Sequence, residues 1–435
     1  MSRLLYSIAL YILLPFTAVK LLWRGLRQPA YLNHWAERYG WYTHTAQQAI
    51  IWLHCVSVGE TRAAKPLIDA LLNQYPKHQI LLTHATPTGR EAGEQLFPTA
   101  QFPRVSRCYL PYDVPGAVKR FLKHFQPALG LLMETELWFN LIAQCKAQNI
   151  PLLLVNARLS ERSARGYAKV GKLTAQGLNS LSAIAAQTNQ DAVRLDKLIG
   201  QSGKVAVMGN LKFDVHPPAE EAERGRYLRG LLGVKRPVFL AASTRDGEEA
   251  LILEAITSAN IPNLLTVIVP RHPQRFDEVA ALLSKQHIAF CRRSEFSMGT
   301  VAGDIPNCSV VLGDSMGELF TYYAACDLAF IGGSLLPLGG QNLIEASAMG
   351  KPVLIGPHTF NFSDATELAV QLGAASRVSN PQELAEKLSE LMNNQDQRKA
   401  MSDAALAFSK SAGGATQKLM RLIAPYLAKQ TSQKN

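Results

Sequence analysis

Beyond residue 48 the chain alternates between two textures. Short apolar runs rich in Val, Ile and Leu are separated by longer stretches whose apolar residues recur at helical spacing. In the first half the runs occupy 50–56 (IIWLHCV), 79–84, 128–133, 151–156, 182–187 and 204–209. In the second half they occupy 237–243 (PVFLAAS), 264–270, 287–291, 308–313, 327–332 and 352–356. Strands that stay apolar instead of alternating are buried on both faces. The pattern therefore predicts parallel sheets covered by helices, about six strands in each half. This is an α/β chain of two Rossmann-like, doubly wound domains. Ligands of such sheets bind beyond the carboxyl ends of the strands, and a cleft between the two domains is the expected active site. The stretch 214–230, with two prolines and a run of charges, marks the boundary. The expected division is a membrane-proximal segment at 1–40, a first domain at 41–214, a second at 215–425 and a frayed tail at 426–435.

The segment 4–23 (LLYSIALYILLPFTAVKLLW) breaks the pattern, being predominantly apolar with Lys20 as its one charge. It is long enough for a membrane helix. No small-x-small cleavage site follows, which disfavours a signal peptide. Tyr6, Tyr11 and Trp23 suit an interfacial belt, and Pro15 is placed to kink or shorten a span. The larger basic cluster (Lys20, Arg24, Arg27 and Arg38) follows the run, which predicts that the globular part is cytoplasmic. A helix buried inside a globular domain is the competing reading. Spanning the bilayer and lying in its interface both fit a membrane anchor.

Composition narrows the function. Hydrophobic residues make up 47% and charged ones 18%, which excludes disorder. The net charge of +11 is unevenly spread. Residues 1–214 carry 24 basic and 12 acidic side chains; residues 215–435 carry 21 and 22. The first half is expected to meet something anionic: a phosphate-bearing lipid, a membrane face or a nucleic acid. Arg158, Arg162, Arg165, Lys169 and Lys172 are its candidate contacts to such a partner or to the membrane, with a solvated helix face as the alternative. No nucleic-acid module or aromatic interleaving accompanies the charge, so no nucleic-acid partner is expected. The six cysteines form no CxxC pair and match no zinc spacing, and they are expected to be buried thiols of a reducing compartment.

Candidate chemistry sits just after the apolar runs. Glu60, in HCVSVGE, falls at a helix start; it is either a carboxylate favoured by the helix dipole or a general base. Glu134 and Glu136, in METELW, lie two apart at a strand end. Lys212, in GNLKFD, follows the last strand of the first half, where a cation can meet developing negative charge. In the second half the loops at 242–245, at Arg271-His272, at 313–319 and at 332–345 are polar and mostly rich in glycine. Asn342 and Glu345 share one helix face and suit a ribose. Together the loops favour a nucleotide. No GxGxxG or GxxxxGK[ST] motif is present.

These motifs in this order (HCVSVGE, METELW, GNLKFD, the PRHPxR-like run at 270–275, GDSMGEL and GGQNLIEA) resemble those of the 3-deoxy-D-manno-octulosonic acid (Kdo) transferases of lipopolysaccharide synthesis. The resemblance runs from the N-terminal helix to about residue 425. It implies a GT-B fold and an inverting transfer of Kdo from CMP-Kdo to a lipid A precursor, lipid IVA, at the cytoplasmic face of the inner membrane, beside anionic lipids. It also implies that Glu60 is the base and that Glu134 and Lys212 stabilise the transition state. The CMP site it implies comprises Arg271 and His272, the loop Gly313, Asp314, Ser315, Met316 and Gly317, and Asn342, Leu343, Ile344 and Glu345. Neither a cofactor nor a metal is expected; the donor is the co-substrate. Two departures are visible: Phe139 stands where the family usually has Pro, and Gln341 where His is common. A GT-B sugar-nucleotide epimerase shares the two-domain plan and is the rival, although it needs neither an anchor nor a basic half. A nonenzymatic membrane-associated nucleic-acid-binding protein is the remote alternative.

Overall fold

The computed structural model describes residues 2–43, 48–200, 203–215, 217–296 and 308–431. It divides into two compact units. The first holds Met1–Asp214 together with Gly413–Asn435, and the second holds Val215–Ala412.

The first unit is built on a seven-stranded sheet: β1 (Ala49–His54), β2 (His78–His84), β3 (Val105–Tyr109), β4 (Leu129–Met133), β5 (Leu152–Ala157), β6 (Ala183–Ala186) and β7 (Val205–Val207). Their order is β3-β2-β1-β4-β5-β6-β7 and every pairing is parallel. The second unit repeats the plan with β8 (Val238–Thr244), β9 (Leu265–Pro270), β10 (Phe290–Arg292), β11 (Val310–Leu312), β12 (Leu328–Ile331), β13 (Val353–Ile355) and β14 (Ala375–Arg377). Its order is β10-β11-β9-β8-β12-β13-β14, again all parallel. In each sheet the winding reverses beside the first strand, because β1 lies between β2 and β4 and β8 between β9 and β12. That reversal opens a crevice at the carboxyl ends of the strands.

Each sheet thus has seven strands, where the apolar runs gave six. The additional strands, β3 and β14, are sheet edges. An edge strand pairs on one side only and can keep half-exposed polar residues, as β3 does at Ser106 and Arg107 and β14 at Ser376 and Arg377. Neither reads as an apolar run.

The second correction concerns the C-terminus. The second domain was expected to run to residue 425, yet the helix Ala415–Thr431 belongs to the first unit. Its stripe of Leu419, Met420, Ile423 and Leu427 joins the core cluster that contains Leu67, Leu71 and Ile80. The buried Asp214 carboxylate caps its start, accepting from the backbone N–H groups of Gly414, Ala415 and Thr416. The expected frayed tail is helical up to Thr431, and 432–435 lie outside the described residues.

The apolar N-terminal segment is one helix, Arg3–Arg27, continuous through Pro15. A stripe along it (Tyr6, Ser7, Leu10, Leu14, Thr17, Ala18, Leu21 and Gly25) is wholly or partly covered, and the rest is exposed. All six cysteines are buried free thiols. Cys291 and Cys308 nevertheless place their Sγ atoms 2.6 Å apart, a pairing their 17-residue spacing did not signal.

Candidate active site

In the first unit three motifs distant in sequence meet at the carboxyl edge of the sheet. After β1 the chain turns into the short helix Val58–Ala63. Ser57 is its N-cap and accepts from the Glu60 N–H at 3.2 Å. The Glu60 side chain folds back over the same turn. Its Oε2 accepts from Val56 N–H at 2.8 Å and its Oε1 from the Ser57 hydroxyl at 3.0 Å. Glu60 is 8% exposed. Burial pushes its carboxyl up to about 7, and the nearby charges of Glu134 and Glu136 add to the rise. The two hydrogen bonds, which favour the charged form, only partly oppose it.

Glu134 follows β4, the neighbour of β1. Its φ of 57° is left-handed, and its N–H is held by the Val155 carbonyl at 3.0 Å. A left-handed glutamate is strained, and such strain collects at functional sites. Lys212 comes from beyond β7, in the turn Leu211–Phe213, and places Nζ 3.4 Å from Glu134 Oε1. Asn156, at the end of β5, fixes that turn by accepting from Leu211 N–H at 3.0 Å. The structure therefore brings Glu60, Glu134 and Lys212 together. In GNLKFD the lysine reaches the site, whereas Asp214 is the helix cap described above.

The five basic candidates lie next to this edge. Arg158, Arg162, Arg165, Lys169 and Lys172 are all exposed, three of them on the helix Glu161–Lys169. That helix is tied to the METELW turn. Tyr167 donates to the Thr135 carbonyl at 3.2 Å, and the Thr135 hydroxyl donates to the Arg158 carbonyl at 2.5 Å. A small pocket between them is lined by Glu134, Thr135, Arg158, Tyr167 and several leucines.

In the second unit the loops after β8, β9 and β12 converge. Glu248, fully buried at the start of the helix Glu248–Ala259, binds the N–H groups of Gly333, Ser334 at 2.9 Å and Leu335 at 3.1 Å, and also that of Arg245 at 3.0 Å. It thus fastens the Gly332-Gly333-Ser334 turn to the loop after β8. The approach is so close that a Cβ on Gly332 would lie 2.4 Å from the Ser243 carbonyl oxygen. Arg271 Nε donates to Gln341 Oε1 at 3.2 Å, so the unusual glutamine orients this arginine. Arg275 is held by the buried Glu249 at 2.7 Å, with Asp246 and Glu278 beside it. His272 sits among these cations. Burial, then the charges of Arg245, Arg271 and Arg275, lower its pKa and keep the ring neutral.

The remaining candidates divide. The Asp314 carboxylate is engaged by Ser294 N–H at 2.8 Å, the Ser294 hydroxyl at 2.7 Å and Arg292 at 3.4 Å, so it braces its own loop. Gly313 N–H closes onto the Ile268 carbonyl, Ser315 bonds Glu318 and Tyr322, Met316 is 60% exposed, and Gly317 has a positive φ of 82°. Asn342 donates to Glu345 Oε1 at 3.0 Å and accepts from Ile344 N–H, while Leu343 and Ile344 are buried and form the base of this turn. Sequence reasoning missed Ser57, Asn156, Tyr167, Glu248 and Glu249. For Asn156 and Glu248 there was a signal: a polar residue closing an apolar run, and an acid opening a helix just after a strand.

Comparison with known proteins agrees. Residues 33–215 match the family described as 3-deoxy-D-manno-octulosonic-acid transferase, and residues 303–408 match glycosyl transferases group 1. A 3-deoxy-D-manno-octulosonic acid transferase of Bordetella pertussis is 44% identical over 87% of this chain and 88% of its own. One from Haemophilus influenzae is 38% identical over 98% of this chain and 99% of its own. A glycosyltransferase structure from Rickettsia africae, 14% identical, matches 88% of this chain and 99% of its own with a TM-score of 0.54, which speaks to the GT-B fold alone. The motifs, the two doubly wound units and these relatives converge: the chain belongs to the Kdo transferase family, the glycosyltransferases that transfer Kdo in lipopolysaccharide synthesis.

Proposed function

We propose that this chain is an inverting transferase that moves Kdo from CMP-Kdo to a hydroxyl of a lipid A precursor, lipid IVA, at the cytoplasmic face of the inner membrane. In this reading a Glu60 oxygen takes the proton of the acceptor hydroxyl. The acceptor oxygen attacks the anomeric carbon, and CMP leaves with the bonding pair on its phosphate. Attack and departure on opposite faces invert the centre. Lys212, held by Glu134, supplies positive charge beside the reacting groups. The second unit holds the donor, with Arg245 and Arg271 placed to meet its anionic groups and the turn at Asn342–Glu345 to meet its ribose. The exposed basic helix of the first unit is assigned to the acceptor's phosphates or to anionic lipid. The helix Arg3–Arg27 is assigned to the membrane.

One observation carries the reading: a nearly enclosed glutamate whose carboxyl is raised to about 7, grouped with a second glutamate and a lysine at the switch point of the sheet. A general base works best with a pKa near the working pH. The test is transfer from CMP-Kdo to purified lipid IVA. Glu60→Ala should lose about 10²–10⁴-fold in turnover while CMP-Kdo still binds. Near-wild-type turnover in Glu60→Ala would remove the base assignment. Product released with retained configuration would remove the inverting one.

A further inference from the structure

We infer that the helix Arg3–Arg27 lies in the plane of one membrane leaflet, clamped between the first unit and anionic lipid, and does not cross the bilayer. The inference rests on the membrane assignment just proposed and gives it a geometry.

The first argument is the length of the clamp. Near the start of the helix Tyr6 donates to Asp113 Oδ2 at 2.9 Å, and Ser7 Oγ lies 2.9 Å from Asn140 Oδ1. One turn on, the Gly116 N–H donates to the Tyr11 hydroxyl at 3.1 Å. Further along, Thr17 Oγ1 is 3.1 Å from the Tyr39 hydroxyl. Beyond these bonds the turn Pro29–Leu32 folds back on the end of the helix, with Leu32 packed so closely on Gly25 that a Cβ there would lie 2.3 Å from its side chain. From Tyr6 to Thr17 the helix rises about 17 Å at ~1.5 Å per residue, more than half of the ~30 Å hydrocarbon core. The helix is thus held to the globular unit over more than half the distance a span would need. Crossing the bilayer would carry these partners into hydrocarbon or leave them unpaired. The partners are themselves structural. Asp113 also accepts from Asn140 N–H at 3.0 Å and Leu141 N–H at 2.8 Å, at the head of the helix Phe139–Ala147. Phe139, the departure from the family pattern, packs edge-on against Tyr6 at 5.4 Å.

The second argument is the opposite face. Leu5, Ile12, Phe16, Val19, Trp23 and Leu26 are between 55% and 85% exposed there. The helix contains no acidic residue and carries Arg3, Lys20, Arg24 and Arg27. Arg27 stacks on the Trp23 ring at 4.8 Å, which puts a cation and an amphipathic ring at the same depth. An apolar face bordered by cations and one indole is the signature of a helix seated among anionic headgroups. A neutral protein partner would not account for the charges.

The test uses the full chain in sealed vesicles of phosphatidylethanolamine and phosphatidylglycerol, with trypsin-accessible globular units outside. All native thiols are buried. Ser2→Cys, just before the helix, is therefore labelled with a membrane-impermeant maleimide beside Glu91→Cys, an exposed position on the first unit. The expected result is equal labelling of both in intact vesicles. Labelling of Ser2→Cys only after detergent would mean that the helix crosses the bilayer and would overturn the inference while leaving the membrane assignment intact. Recovery of the protein away from the vesicles would remove both. Oxidative cross-linking of Ile12→Cys between chains, unchanged by lipid, would assign the face to a second copy and overturn the inference.

Discussion

Glu60 answers to two opposed demands, enclosure and ionisation, and they set its behaviour with pH. Its carboxyl is raised from an ordinary value of 4.5 to about 7, first by burial and then by Glu134 and Glu136. The fold therefore favours the protonated form. That preference is fully present below pH 4.5 and is lost as the pH rises through about 7. Glu60→Gln stays neutral, so its thermal stability should pull ahead of wild type across this window, by on the order of 3 kcal/mol at the plateau. A melting series from pH 4 to pH 8 shows whether the gap opens. Catalysis runs the other way, because only the ionised form accepts a proton: kcat/KM should climb to a plateau above about pH 7. Glu134→Asn separates strain from chemistry. Asparagine tolerates the left-handed backbone, so the melting temperature should hold while turnover falls. Removing the Glu134 charge should also move the acid limb of the Glu60 profile to lower pH. Glu60, Glu134 and Lys212 were legible in the sequence because each follows an apolar run. Asp214 was not, because the helix it caps begins 200 residues later. The partners of Asp314 were hidden too, since Arg292 and Ser294 lie just past the apolar run at 287–291, where nothing in the spacing points to the next strand's loop.

At the level of elements, polar side chains buried at strand and helix ends hold the site loops in place. Glu248 closes one turn of the second unit with four backbone N–H groups, and Asp113 and Asp214 head helices in the first. Removing such an acceptor strands its donors, at about 1–3 kcal/mol for a buried group. Glu248→Ala should weaken donor binding and destabilise the second unit together, whereas Glu248→Gln should restore part of both; calorimetric titration with CMP-Kdo alongside thermal unfolding reads the pair. The core strands declared themselves as apolar runs because both their faces are covered. β3, β14 and the returning helix did not, since an edge needs few apolar residues and a lone amphipathic helix does not say which sheet it covers.

Across the whole molecule, charge and apolar surface share a purpose. Five exposed basic side chains of the first half lie beside the edge that carries Glu134, while in the second half basic and acidic residues balance and Arg245, Arg271 and Arg275 stand at the loops after β8 and β9. Reversing Arg162, Arg165 and Lys169 to Glu should therefore raise KM for the lipid acceptor or weaken vesicle binding, and leave CMP-Kdo affinity unchanged. A fall in donor affinity instead would tie this helix to the nucleotide.

The helix Ala415–Thr431 has a consequence for how the protein is made. The last piece of the first unit emerges from the ribosome after the whole of the second, so the second unit is in effect an insertion between a sheet and the helix that completes its core. During synthesis the surface around Leu67 and Leu71 must wait uncovered while about 200 residues are added. Exposed apolar surface of that kind is what chaperones bind and what aggregates. A nascent chain halted before residue 415 should be far more dependent on chaperones than the finished protein.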